Sequence, residues 1–147
     1  MTLSSLMRLR AASAGFGLLA LSAAHADTAC LDKAQTQAQM NACAAADLKQ
    51  ADDRLNQVYQ QVQGRLQGDA AARQQLLDAQ RKWLAFRDAE CAFQTMRSSG
   101  GSLHALDLRS CLAAVTQARV QALRAHLDCA HQAGEQEAAS CAVPREP

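Results

Sequence analysis

The chain has 147 residues, and 15 Lys plus Arg stand against 14 Asp plus Glu for a formal net charge of +1. So even a balance excludes a strong field aimed at nucleic acid or anionic lipid, and the length allows one core but hardly two. Aromatic residues make up only 3%, so a core must be built from Leu, Ala and Val, which suits close helix packing better than a sheet.

Arg8 and Arg10 precede an apolar run from Ala11 to about Ala24, and Ala24-His25-Ala26 supplies a small-x-small cleavage pattern. Residues 1–26 therefore read as a secretory signal peptide, the run being too short for a membrane span of about 20 apolar residues. Cys30 offers a lipid-attachment alternative, but Asp27-Thr28-Ala29-Cys30 puts an acidic residue where that pattern wants an aliphatic one. A periplasmic or secreted protein is expected, with no stable membrane insertion after cleavage. All six cysteines follow the leader, and export makes disulfides their default state.

No proline occurs between Asp27 and Val143, and alanine and glutamine dominate. Long uninterrupted helices are the natural reading, hence an all-α, elongated antiparallel bundle or hairpin of three to four helices, stapled by disulfides. A short cysteine-bounded segment spans 30–43. From 45 to 67, Leu48, Leu55, Val58, Val62 and Leu66 recur at helical spacing. Gly68 fits a C-terminal cap and Asp69 the next N-cap. The following helix is predicted over 70–97, with Leu76, Trp83 and Glu90 on one heptad line, Leu77, Leu84 and Cys91 on the adjacent one, and both facing the core. Ser98-Ser-Gly-Gly-Ser102 stops it, with Ser102 as the next N-cap. A last long helix over 103–127 has Leu108, Leu112, Val115, Ala122 and Leu123 as its candidate apolar face. The helical domain is thus expected over 27–128, with an irregular tail over 129–147.

Cys91 and Cys111 are symmetric about residue 101, inside the Gly100-Gly101 turn. In an antiparallel hairpin such residues lie at the same height, so the two can face each other at disulfide distance. If Cys30 and Cys43 pair, the chain must reverse between them, near residues 35–38, because a continuous helix would hold them about 20 Å apart. Cys129 and Cys141 are left as a loop-closing pair. Each bridge is expected to contribute about 3 kcal/mol.

The stretch Trp83-Leu-Ala-Phe-Arg-Asp-Ala-Glu-Cys91 gathers an indole, a guanidinium, two carboxylates and a thiol. A thiol nucleophile would draw on His104, His126 or His131 as its base, but an exported Cys91 with a matched partner offers no thiolate. Asp88 and Glu90 point to different faces of a helix, which counts against an acid and base pair. His126, Cys129, His131 and Cys141 match no established zinc spacing. No catalytic residue, metal or cofactor is expected. Trp83 and Phe86 read as hairpin core, Arg87, Asp88 and Glu90 as fasteners, and Arg119 as the interhelical partner of Asp88 or Glu90.

Cys30, Met40-x-x-Cys43, Ala46-Asp47, Leu55-Asn56-x-x-Tyr59, Ala79-Gln-Arg-x-Trp-x-x-Phe-Arg-Asp-x-Glu-Cys91, Gly100-Gly-Ser102, Cys111 and Thr116-x-x-Arg119-x-x-x-Leu123 together resemble the LprI-type N-terminal domain over about residues 28–127. That family comprises small exported bacterial helical domains named after a mycobacterial lipoprotein that inhibits lysozyme. The resemblance implies that Cys30, Cys43, Cys91 and Cys111 are structural, and that the partner is a protein at the cell envelope, with lysozyme the most concrete candidate. A lysozyme inhibitor needs a protruding polar element for a carboxylate-bearing sugar cleft. The turn containing Ser98, Ser99, Gly100, Gly101, Ser102 and His104 is the candidate. The alternative is a structural or stress-related periplasmic interaction protein without lysozyme activity.

Overall fold

The computed structural model describes residues 28–145, and the signal-peptide expectation for 1–26 falls outside that span. Its helices are α1 (Thr28–Lys33), α2 (Gln37–Arg65), α3 (Ala70–Gln94), α4 (His104–Gln132) and α5 (Glu135–Ala138), with a 3-10 turn at Met96–Ser98 between α3 and α4. Among the described residues there is no strand, and no helix is long and apolar enough to cross a membrane.

The reversal required between Cys30 and Cys43 occurs at residues 34–36, where α1 ends and a capping box opens α2. Thr36 Oγ1 accepts from Gln39 N, and Gln39 Oε1 accepts from Gln35 N at 2.7 Å and Thr36 N at 3.1 Å. These bonds satisfy backbone donors that the start of a helix otherwise leaves unpaired. With the chain doubled back, Cys30 and Cys43 are bridged, their Cα atoms 5.8 Å apart.

α2 and α4 lie side by side and run in the same direction. Near their N-termini Arg109 donates to Asn41 O at 3.3 Å, and near their C-termini Arg65 donates to Leu127 O at 3.0 Å. α3 returns antiparallel to both, so the three helices run up, down, up. α2 buries Ala44, Ala51, Leu55, Val58 and Val62, continued by Leu66. α4 answers with Ala113, Thr116, Val120, Leu123, Leu127 and Ala130, a strict alternation of three and four residues. That period keeps one seam facing a neighbour over the whole length. Each buried Leu or Val contributes about 1.5–3 kcal/mol of transfer free energy.

This seam differs from the predicted apolar face of the last helix. Leu123 belongs to it, but Leu108, Leu112 and Val115 are only half-buried and Ala122 is exposed. The α2 side of the contact is rich in alanine toward its N-terminus, so small Ala113 and Thr116 occupy the facing positions and the larger residues flank them. The helix also continues to Gln132, five residues past its predicted end.

α3 packs through one narrow stripe. Trp83 and Leu76 are half-buried against the core, and Cys91 is fully buried. Leu84, expected inward with Cys91, is 38% exposed, and Phe86, expected in the hairpin core, is 57% exposed. Along the line Leu77, Leu84, Cys91, the first is half-buried, the second exposed and the third fully buried, where the bridge to Cys111 draws α3 against α4.

Beyond α4 the chain folds back instead of trailing away. Cys129 and Cys141 are bridged at a Cα separation of 5.9 Å, and Val143 joins the cluster of Leu66, Leu123 and Leu127. The Arg145 guanidinium donates to Ala130 O and, at 2.8 Å, to Ala133 O, satisfying carbonyls at the end of α4 that have no intrahelical donor.

Candidate functional site

The α3/α4 hairpin carries both groups of residues singled out in the sequence. Cys91 and Cys111 are bridged across it at 5.6 Å between Cα atoms, as their symmetry about the turn requires. With the other two bridges in place, none of the six cysteines retains a thiol. A cysteine nucleophile therefore has no residue to act through, and Cys129 and Cys141 are not available as thiolate ligands. Among the described residues no group of three His, Cys, Asp or Glu side chains is placed to hold a metal ion.

Midway along the hairpin, Arg87 is the junction of the three long helices. Its Nε donates to Asp88 Oδ1 at 2.9 Å, and one terminal nitrogen lies 3.3 Å from both Asp52 Oδ1 on α2 and Thr116 Oγ1 on α4. Thr116 is fully buried, so its hydroxyl needs this donor. The Arg87 guanidinium carbon also lies 5.5 Å from the centroid of Trp83, and that of Arg119 lies 5.8 Å away. The indole thus sits under two cations, an arrangement favoured by the ring quadrupole.

Arg119 makes neither of the ion pairs expected for it. Its Nε donates to Gln80 Oε1 at 3.1 Å, seven residues N-terminal of Arg87 on α3. Antiparallel packing explains the difference. Thr116 meets Arg87, so three residues further along α4 the matching level on α3 is earlier than Arg87, whereas Asp88 and Glu90 lie later. Asp88 is exposed and serves Arg87, while Glu90 accepts from Gln94 within α3 at 2.8 Å. Burial pushes the Arg119 guanidinium down from its usual pKa, and neighbouring Tyr59 partly offsets the shift. The group remains a cation throughout the neutral range.

About 16 Å further along the hairpin, at 1.5 Å per helical residue, lies the tip. Thr95 Oγ1 donates to Cys91 O at 2.7 Å and Ser98 N to Thr95 O at 3.1 Å, closing α3. Gly101 N then donates to Ser98 O at 2.9 Å, and His104 N to Gly101 O at 3.2 Å. Gly100 has φ of +81°, a backbone that side-chain-bearing residues rarely adopt, and a Cβ on Gly101 would sit 3.1 Å from Ser98 O. Leu103, not Ser102, occupies the N-cap of α4 and makes no side-chain cap.

The tip residues divide in two. Ser98 and His104 are half-buried and turned on each other, Ser98 Oγ lying 3.4 Å from His104 Nδ1 and donating to Thr95 O at 3.0 Å. Ser99, Gly100, Gly101 and Ser102 are exposed. Around them stand apolar side chains absent from the predicted site, with Phe93 69%, Met96 60% and Leu103 49% exposed, together with exposed Arg97. Their signal in the sequence was a negative one: large apolar residues next to the turn that fit neither heptad line. The tip is thus an apolar rim around a small polar turn, braced by a disulfide at its base.

A protein-family model described as lysozyme inhibitor LprI matches residues 30–123, which include the tip, the Arg87 junction and four of the cysteines. The chain is also 34% identical over 103 residues to "Uncharacterized protein R02472" of Rhizobium meliloti (strain 1021), covering 63% of this chain and 74% of that protein. No solved structure matches the chain significantly. With the family model matched over most of its length and a helical, disulfide-braced fold to go with it, the chain belongs to the LprI lysozyme-inhibitor family.

Proposed function

We propose that this is an exported, non-catalytic protein of the periplasm or secreted fraction, which binds a protein partner at the cell envelope through the tip of the α3/α4 hairpin, with lysozyme as that partner. The observation that carries the reading is the tip itself. Three large apolar residues stand exposed around a hydrogen-bonded polar turn, within the region matched to the lysozyme-inhibitor family. Protein interfaces combine an apolar patch with a few well-placed polar groups in this way. Exposed Ser99 and Ser102 hydroxyls, with Arg97 beside them, suit a sugar cleft whose walls carry catalytic carboxylates. Export is supported by three disulfides, which persist in oxidising compartments. A non-catalytic role is supported by the oxidation of every thiol and by the engagement of Asp88 and Glu90 with neighbouring side chains.

A second reading, an envelope interaction protein without lysozyme activity, is favoured by Leu84 and Phe86, which are exposed on α3 away from the tip. Passing lysozyme and an envelope extract in parallel over the immobilised oxidised chain separates the two. Retention of lysozyme, lost when Phe93 and Met96 are changed to serine, supports the first. Retention of another envelope protein with no lysozyme bound overturns it in favour of the second.

A further inference from the structure

At the opposite end of the hairpin from the tip, a groove of about 420 Å³ runs between α2, α3, α4 and the folded-back tail. Its floor is apolar, made by Val62 of α2, Leu66 at the C-cap of that helix, Leu76 of α3, Leu123 of α4 and Val143 of the tail. The ionisable residues in its wall are Arg119 and His126, and no carboxylate lines it. Arg119 is half-buried there, and its Nε is spent on Gln80. Its two terminal nitrogens have no hydrogen-bonding partner and no carboxylate counter-ion among the described residues.

Because no buried side-chain polar atom among the described residues is without a partner, those terminal nitrogens face water at the edge of the groove, where an anion can reach them. The charge has lost part of its hydration, and the planar fork that matches a carboxylate in two-point contact is vacant. An apolar trough of this size with a cationic side chain in its wall has the general form of a small-molecule site. The charge selects the sign of the ligand and the floor selects its body. From the level of Gln80, where Arg119 is anchored, to Ala72 at the far end of the groove is eight residues of α3, or about 12 Å. That length accommodates a medium acyl chain.

We infer that the groove between α2, α3, α4 and the tail binds a single-chain acyl carboxylate, its head group on Arg119 and its alkyl chain along Leu76, Leu66 and Val143. The lysozyme reading does not enter this inference, because the groove and the tip are at different ends of the hairpin.

Trp83 provides the reporter. It is the single tryptophan of the chain, and the Arg119 guanidinium lies over its ring, so an anion arriving at Arg119 changes the field at the indole. The full-length oxidised protein is titrated with dodecanoate below its micellar range, followed by calorimetry and by Trp83 emission, with dodecanol and dodecyltrimethylammonium in parallel. The expected result is saturable one-to-one binding of dodecanoate with a shift in emission, at least tenfold tighter than either comparison compound. Arg119→Gln removes that preference for the anion. Ala79→Phe, which fills the groove from an exposed position and leaves Arg119 in place, abolishes binding and covers the case in which Arg119→Gln does not fold. The inference is overturned by the absence of saturable dodecanoate binding, by equal affinity for dodecanol, or by undiminished binding to Ala79→Phe.

Discussion

Arg87 shows how one side chain can decide the relation between three helices. Its partners lie on α2, α3 and α4, and one of them, the Thr116 hydroxyl, is fully buried. The ion pair with Asp52 is a minor part of its value, since that carboxylate is 44% exposed and screened by solvent. The larger part is the donor it supplies to Thr116 and the apolar stem and planar face it lays near Trp83. Replacing Arg87 with alanine is expected to lower unfolding free energy by about 2 kcal/mol, read from urea denaturation. Arg87→Lys should recover only part of that, because an ammonium cannot serve the hydroxyl, the carboxylate and the ring together. Equal stability of the lysine variant and the native protein would show that charge alone matters at this position. The sequence put Arg87 among the fasteners but could not name its partners. Nothing in the spacing of Asp52, Arg87 and Thr116 tells which helix levels coincide until the bundle's directions are known.

At the scale of elements, capping was legible only in part, since α2 is capped by Leu66 rather than Gly68 and α4 by Leu103 rather than Ser102, and the choice of buried face was likewise only partly legible. Asp69 caps α3 as expected, its Oδ1 accepting from Ala72 N at 2.9 Å. The Cys91 to Cys111 bridge follows from position relative to the turn. The seams of α3 and α4 were harder, because hydrophobicity points to leucine while close helix approach selects alanine and threonine. Two truncations separate the assignments. Leu123→Ala, at a position 1% exposed, is expected to cost about 3 kcal/mol, whereas Leu84→Ala on the outer face of α3 should cost less than about 1 kcal/mol. Comparable losses would mean that α3 is rotated relative to the arrangement described. Removing the hairpin bridge through Cys91→Ala with Cys111→Ala should reduce stability by about 3 kcal/mol. The effect should appear in hydrogen exchange as faster opening of the backbone at Thr95, Gly101 and His104, with protection in the α2/α4 seam less affected.

For the molecule as a whole, three bridges hold three different places: the α1/α2 reversal, the base of the tip, and the tail against α4. Between them runs a core rich in small residues. The sequence conveyed the helical class, the number of long helices and the cysteine pairs. It did not convey that α2 and α4 run parallel with α3 returning beside them, nor that the tail buries Val143, because a single valine between Ala142 and Pro144 has no periodicity to mark it. The division of labour along the hairpin, packing at Arg87 and exposed apolar residues at the tip, became visible only with the fold. Whether the tip engages lysozyme is read from a titration of lysozyme's cell-wall hydrolysis with the oxidised protein and its variants. Inhibition that saturates at one-to-one stoichiometry is expected, at least tenfold weaker for Arg97→Glu or Phe93→Ser and unchanged for Leu84→Ala. Lysozyme activity unaffected by excess native protein, or inhibition indifferent to the tip substitutions, would contradict that engagement.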